Sequence, residues 1–403
     1  MKTSRAIISL ALAAAIGVGF VTLKHESVDA APAVESAPAA AGAVKPASTE
    51  SVPVSAPVAA EAAPAKTAAE SVGDAAAAAP AEVRENIAMY KMGTVVNGSV
   101  FAPTQIEADR LKAEFQRKVA FYDDLLTVHR DSPLNEVNKR AGETVEVPVE
   151  VARLIERSVA IAHDSDGVFQ PMIGPVVNLW KIGFGGDKVP TDEQIARAVS
   201  LVDHAKVSVT YKDGHAYARI GQGQSIDLGG IAKGYIGTAL AEDLVAKGMK
   251  HGLINLGGNV VAVGEKAPGT PWSIGLQIPG HPRGEPFAIV RVADTSVVTS
   301  GAYERYFEKD GKRYAHILSP KTGRPVTTDI SSVTIISKDG TFADAWCTAL
   351  FAMGWDKARE YLVTHPDVAC IMLNGDMKRI VATEAARPFL HALVGDYDLE
   401  FIR

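Results

Sequence analysis

The sequence predicts an α+β fold. Apolar residues recur at helical spacing in some segments and alternate in others, so both element types are present. The two kinds of segment mix without strict β-α-β alternation, which argues against a doubly wound parallel sheet. The folding part is confined to about 320 of the 403 residues, enough for one large core or two smaller ones.

The N-terminal segments come first. Lys2 and Arg5 precede an apolar run over 6–23, with small residues at Val28-Asp29-Ala30. This is the layout of an export signal, and the run is also just long enough to span a bilayer. Residues 1–30 are therefore expected to be a signal peptide or a membrane anchor, with the rest of the chain outside the cytoplasm. No Cys follows the apolar run, so a lipid anchor is excluded. From Ala31 to Glu82 there are 22 Ala and 7 Pro in 52 residues, with no aromatic. Such a stretch cannot bury enough apolar surface to offset the entropy of ordering it. Residues 31–85 are read as a disordered linker, spanning about 40 Å as a coil and about 160 Å as polyproline II. The folded domain is assigned to 86–403.

Within that domain a strand is expected over 92–101, then a helix over 105–126 with Ala108, Leu111, Phe115, Val119 and Leu126 on one side. A second helix covers 149–165. A third covers 191–202, with Thr191 as N-cap and Gln194 three residues on. The runs 207–210 and 216–220 read as a hairpin around Asp213-Gly214. A fourth helix, 231–248, is entered from Gly229-Gly230. Strands follow at 252–255, 260–263, 272–277, 288–292, 296–300, 313–317 and 332–336. Helices at 343–353 and 355–365 and strands at 368–373 and 379–382 complete the chain.

The formal net charge of −6 argues against a general nucleic-acid binder, which needs a basic face. Two cysteines, Cys347 and Cys370, exclude a disulfide scaffold and a Cys-rich metal site, though a single bridge stays open.

Four clusters carry candidate chemistry. In Asp227-Leu-Gly-Gly-Ile-Ala-Lys233-Gly-Tyr, a strand is expected to end in an acid, two glycines let the backbone bend, and a helix begins. The free N–H groups of that start suit an anion, with Lys233 adding charge; a tight strand-to-helix turn explains the pattern as well. Asn255-Leu-Gly257-Gly258-Asn259 is a hairpin or a backbone lying against a ligand. His316 is expected on a strand leading into the turn Pro320-Lys-Thr-Gly-Arg-Pro325, as a site residue or a structural histidine. Asp344 and Thr348 stand at i and i+4 on one helix face, which suits Mg²⁺ and equally a cap or surface pair.

Together these clusters give the chain a resemblance to the FAD:protein FMN transferase family, also called the ApbE family. Its markers are the Met92-Gly-Thr opening, Asp131-Ser-x-x-Asn135 with Asn138, and the run from Asp166 to Pro175. The Asp227–Tyr235 run, Asn255-x-Gly-Gly, Thr299-Ser-Gly, the stretch from His316 to Pro325 and Asp344-Ala-x-x-Thr348 complete them. The resemblance covers nearly all of the folded part and implies a mixed-sheet α+β domain. It also implies an exported, Mg²⁺-dependent enzyme that cleaves the FAD pyrophosphate, joins FMN to a Thr or Ser hydroxyl of a partner protein and releases AMP. By the same resemblance, Asp344, Thr348 and the backbone carbonyl of Gly230 are the metal ligands. Met92, Val168, Phe169, Gln170, Asp227, Lys233 and His316 contact FAD, and the flavin lies against 168–172 and 255–259.

The expected general base is His316, suited by its unperturbed pKa near 6.5, with Asp227 second. Two positions depart from the family pattern. Gln170-Pro171-Met172 stands where Asp-Pro-Thr is usual, and Ser319 where Asp is common. Both changes remove a carboxylate. They motivate the alternative of a non-catalytic periplasmic accessory protein that binds or donates flavin during maturation of a redox enzyme such as nitrous oxide reductase. The acceptors implied by the resemblance are subunits of membrane redox complexes, namely sodium-pumping NADH:quinone reductase and Rnf-type complexes. The expected location is the periplasmic side of the inner membrane, anchored or secreted. Ser300-Gly301-Ala302 has Tyr303 where an accepting hydroxyl would stand, so self-modification is not expected.

Overall fold

The computed structural model describes residues 82–403 apart from 283. The expected signal or anchor segment and the expected linker as far as residue 81 lie outside the described residues. The first strand begins at Val83, slightly before the expected domain boundary.

The strands β1 (Val83–Lys91) and β2 (Thr94–Ala102) form a hairpin pairing Lys91 with Thr94. Met92 and Gly93 are its two-residue turn, with φ of 55° and 66°. Positive φ at both centres gives the twist that strands need to meet, and the expected strand accordingly starts at Thr94, not Met92. Helix α1 (Gln105–Leu126) has its predicted bounds and is capped by Thr104, whose hydroxyl accepts from Glu107 N. Then come α2 (Pro133–Lys139), β3 (Thr144–Val147), α3 (Val149–Asp164) and α4 (Gly174–Trp180). Helix α5 (Asp192–Val199) begins with the predicted capping box of Thr191 and Gln194. The predicted hairpin is β4 (Ser208–Lys212) with β5 (His215–Arg219).

Helix α6 (Ala232–Ala246) leads to β6 (Gly252–Leu256) and β7 (Asn259–Val263). Gly257 and Gly258 form the turn between them, with φ of 60° and 101°, so the second glycine cluster is a hairpin. The strands β8 (Trp272–Gln277), β9 (Pro286–Val292), β10 (Thr295–Gly301), β11 (Tyr306–Lys309), β12 (Lys312–Ala315) and β13 (Ile330–Ser337) follow. The chain ends with α7 (Gly340–Met353), α8 (Trp355–Thr364), β14 (Ala369–Asn374), β15 (Arg379–Thr383), β16 (Leu390–Leu393) and β17 (Asp398–Ile402).

Nine strands make one mixed sheet in the order β1-β2-β6-β7-β10-β13-β14-β15-β17, antiparallel except for the parallel pair β15/β17. Helices α1, α6 and α7 cover one face. The small sheet β16-β9-β8 covers part of the other. Central strands are therefore apolar on both faces. In β14, Cys370 and Met372 point to the helices while Ile371 and Leu373 meet the small sheet. Cys347 on α7 and Cys370 on β14 are both buried free thiols, so the open bridge is not formed. A smaller cluster of Val176, Trp180, Ile182, Ile195 and Leu318 ties α4 and α5 to the turn after His316.

Candidate active site

Helices α6 and α7 touch backbone to backbone. A Cβ on Gly234 would lie 2.0 Å from the carbonyl oxygen of Gly340, so only glycine permits the crossing. One turn further on, α7 presents Asp344 to the first turn of α6. Its Oδ2 accepts from Gly234 N at 2.8 Å, and the residue is only 2% exposed. The N-cap of α6, Ile231, offers no side-chain acceptor, so Asp344 supplies the negative charge that a helix start favours. One of the N–H groups expected to be free for an anion is thus already occupied. Lys233 Nζ lies 3.7 Å from Asp344 Oδ1 and donates to Gly229 O at 3.3 Å.

Thr348 donates from Oγ1 to Asp344 O at 3.1 Å, which leaves its lone pairs available. A Cβ on Gly230 would lie 3.5 Å from that Oγ1 and 3.3 Å from Phe169 Cε2. The fold therefore brings together Gly230, Lys233, Asp344 and Thr348, with the buried Phe169 ring as a wall. Among the described residues, no three His, Cys, Asp or Glu side chains converge on a metal position. Asp344 and Thr348 offer one carboxylate and one hydroxyl, with the Gly230 backbone beside them. These are hard oxygens, and a set of that kind fits Mg²⁺ completed by phosphate oxygens.

The segment before Gly229 is irregular, not the expected strand. Asn138, on α2, replaces a strand partner. Its Nδ2 donates to Ile226 O at 2.9 Å and its Oδ1 accepts from Ile226 N at 2.6 Å. Asp227 N donates to Pro171 O at 2.8 Å, and the Asp227 carboxylate accepts from Gly229 N at 2.8 Å. The Asp227 loop and the 168–172 stretch are thus one unit. Gln170 is nearly buried, and its amide is used inside the fold: Oε1 accepts from Met172 N at 3.3 Å and Nε2 lies 2.9 Å from His204 Nδ1. Phe169 N donates to Ser165 Oγ at 3.1 Å, while Val168 N bonds the carbonyl of the same residue. Ser319 accepts from Thr322 N at 3.2 Å, capping the turn.

His316 lies just past β12 rather than on it. Its backbone N and its Nδ1 both bond Arg305 O, at 3.1 and 3.2 Å. A carbonyl only accepts, so Nδ1 carries the proton and Nε2 the lone pair. Burial, then the charge of Arg305, and more weakly that of Lys233, push the His316 pKa down to about 3, against the bond to Arg305 O. The expected pKa near 6.5 is therefore corrected: the ring is neutral at working pH, ready to accept a proton but weakly basic.

Sequence reasoning missed Phe184 and Asp123. Phe184 sits 3.4 Å from a Cβ built on Gly93, packs at a tilt against His129 with ring centroids 4.0 Å apart, and lies under the Arg305 guanidinium. An aromatic amid three glycines, in Gly183-Phe184-Gly185-Gly186, was the available signal. Asp123 accepts from Met92 N at 3.0 Å and so holds the Met92 turn to α1. Through Phe184, the turn that carries Met92 meets the Arg305 segment that holds His316.

A family model described as the ApbE family matches residues 92–372. The chain is 37% identical over 276 residues to the FAD:protein FMN transferase of Treponema pallidum, covering 64% of this chain and 75% of that one. It is 35% identical over 298 residues to the protein of the same name from Klebsiella pneumoniae, covering 73% and 92%. Among solved structures, the ApbE protein of Thermotoga maritima aligns with a TM-score of 0.70 at 30% identity, over 77% of this chain and 100% of its own. The apo flavinyl transferase ApbE of Pseudomonas stutzeri aligns with a TM-score of 0.66 at 27% identity, over 78% and 98%.

Proposed function

The chain belongs to the ApbE family, and on that premise we propose that it transfers FMN from FAD to a Thr or Ser hydroxyl of an acceptor protein and releases AMP. The observation that carries this reading is the convergence of Asp344, Thr348 and Gly230 beside Lys233, with the His316 tautomer set by the Arg305 carbonyl and its ring kept neutral by burial and the Arg305 charge. The acceptor hydroxyl oxygen attacks the FMN phosphorus, the pyrophosphate P–O bond to AMP breaks, and AMP leaves with that oxygen. His316 Nε2 takes the hydroxyl proton. Lys233 and the start of α6 bind the phosphates and align them for in-line attack. Asp344, Thr348 and the Gly230 carbonyl would hold Mg²⁺, which supplies charge neutralisation on the pyrophosphate. As anionic phosphates offset the charges of Arg305 and Lys233, the His316 pKa rises from its low value and the base strengthens.

The acceptor belongs, in this reading, to a membrane redox complex on the periplasmic side of the inner membrane, within reach of a domain tethered by the Ala/Pro segment. The use of the Gln170 amide inside the fold, where the family usually has a carboxylate, favours the accessory-protein alternative. One experiment separates the two. FAD, Mg²⁺ and an acceptor peptide are mixed with the protein, and AMP and flavinylated peptide are measured. The transferase yields both, Asp344→Ala yields neither, and Thr348→Ala is slower and needs more Mg²⁺. An active Asp344→Ala protein would sink the mechanism and advance the alternative.

A further inference from the structure

Lys233 stands where a metal's charge would be needed. Gly234 N occupies Oδ2 of Asp344, so Oδ1 is the oxygen left to Lys233, whose ammonium is 3.7 Å away. The same ammonium donates to the carbonyl of Gly229, beside the Gly230 ligand position. A divalent cation approaching Asp344 and Thr348 meets a positive charge already in place, at a distance where repulsion is strong and poorly screened. The partners differ in mobility. The Asp344 side chain is 3% exposed and held between two helices, whereas that of Lys233 is 20% exposed on a flexible four-carbon stem.

We propose that Lys233 is a resident counter-ion for Asp344 which the metal must displace and which the nucleotide pyrophosphate then takes over, so that metal and nucleotide bind cooperatively. The inference rests on the metal and nucleotide sites proposed above and adds how they are coupled. Before loading, Lys233 keeps the buried carboxylate from standing as an uncompensated charge. Once the pyrophosphate receives the ammonium, Asp344 Oδ1 is released to the cation. Reciprocity requires that each ligand tighten the other by the same factor.

The test uses the full-length chain without acceptor, with Mn²⁺ as the metal probe and electron paramagnetic resonance to count the free ion. In the wild type, FAD should tighten Mn²⁺ binding about tenfold or more. Lys233→Met should tighten Mn²⁺ binding in the absence of FAD by about tenfold and shrink the effect of FAD to about twofold. Lys233→Arg should keep the coupling. Lys233→Gln, which retains a donor for Gly229 O, gives a second reading if the Met variant folds poorly, and the rise in melting temperature with Mn²⁺ should be larger in it than in the wild type. Unchanged or weaker FAD-free Mn²⁺ binding in both neutral variants would overturn the proposal. Equal Mn²⁺ affinity with and without FAD in the wild type would defeat the counter-ion coupling alone, whereas no Mn²⁺ binding in either state would defeat the metal site itself.

Discussion

Hydrogen bonding to Arg305 O fixes the tautomer of His316, and burial with two nearby cations fixes its charge. His316→Asn should slow FMN transfer by roughly 10²–10⁴-fold while FAD affinity stays within a few-fold. Loss of FAD binding with turnover preserved would make it a binding residue and Asp227 the base. A pH effect follows with a definite sign. The unfolded chain takes up a proton on this ring near pH 6.5, and the folded chain refuses it until about pH 3. Stability from this group is therefore flat above the unfolded value and falls as pH drops between the two. Urea unfolding of wild type and His316→Asn at pH 7.5 and pH 5 should show a smaller acid loss in the variant. At this scale the sequence named His316, Asp344, Thr348 and Lys233 as site candidates, because each sits in a dense motif. It did not reveal that Lys233 pairs with Asp344, or that the Gln170 amide is taken up inside the fold. Those contacts join elements distant in sequence, and no local pattern encodes them.

Between elements, the site depends on how closely α6 and α7 approach. Gly234→Ala would drive a methyl into the Gly340 carbonyl and the Asp344 side chain. The helices must part, at about 3 kcal/mol, and the Asp344 carboxylate would lose its bond to the first turn of α6. A fall in melting temperature together with Mg²⁺-dependent AMP release below a tenth of the wild-type rate is expected; full activity at an unchanged melting temperature would refute the crossing as its cause. Long periodic elements were legible: α1, α3 and β8 lie at or within a residue of where apolar spacing puts them. The short edge elements were not. Strand β1 places Arg84, Glu85 and Asn86 among its apolar positions, and α2 has two buried residues, Leu134 and Val137. Such segments are fixed by their partners in the sheet and the core, not by their own periodicity.

For the whole molecule, the composition changes near residue 82, where the 52-residue run without an aromatic ends, and the first described strand begins at Val83. Protease added to spheroplasts should cut within 31–82 and release a stable C-terminal fragment; protection until the membrane is lysed would reverse the proposed topology. The order of the nine strands, and the small second sheet that buries the far face, were beyond reach of the sequence, since nothing in a strand names its neighbour across a long connection. The two unpaired cysteines carry a separate consequence. Burial pushes both thiols well above their ordinary range, so neither supplies the thiolate that oxidation or exchange requires. Once folded, the domain holds no cystine for a reductant to cut and keeps both thiols out of an oxidant's reach, so its melting temperature should be the same with and without dithiothreitol.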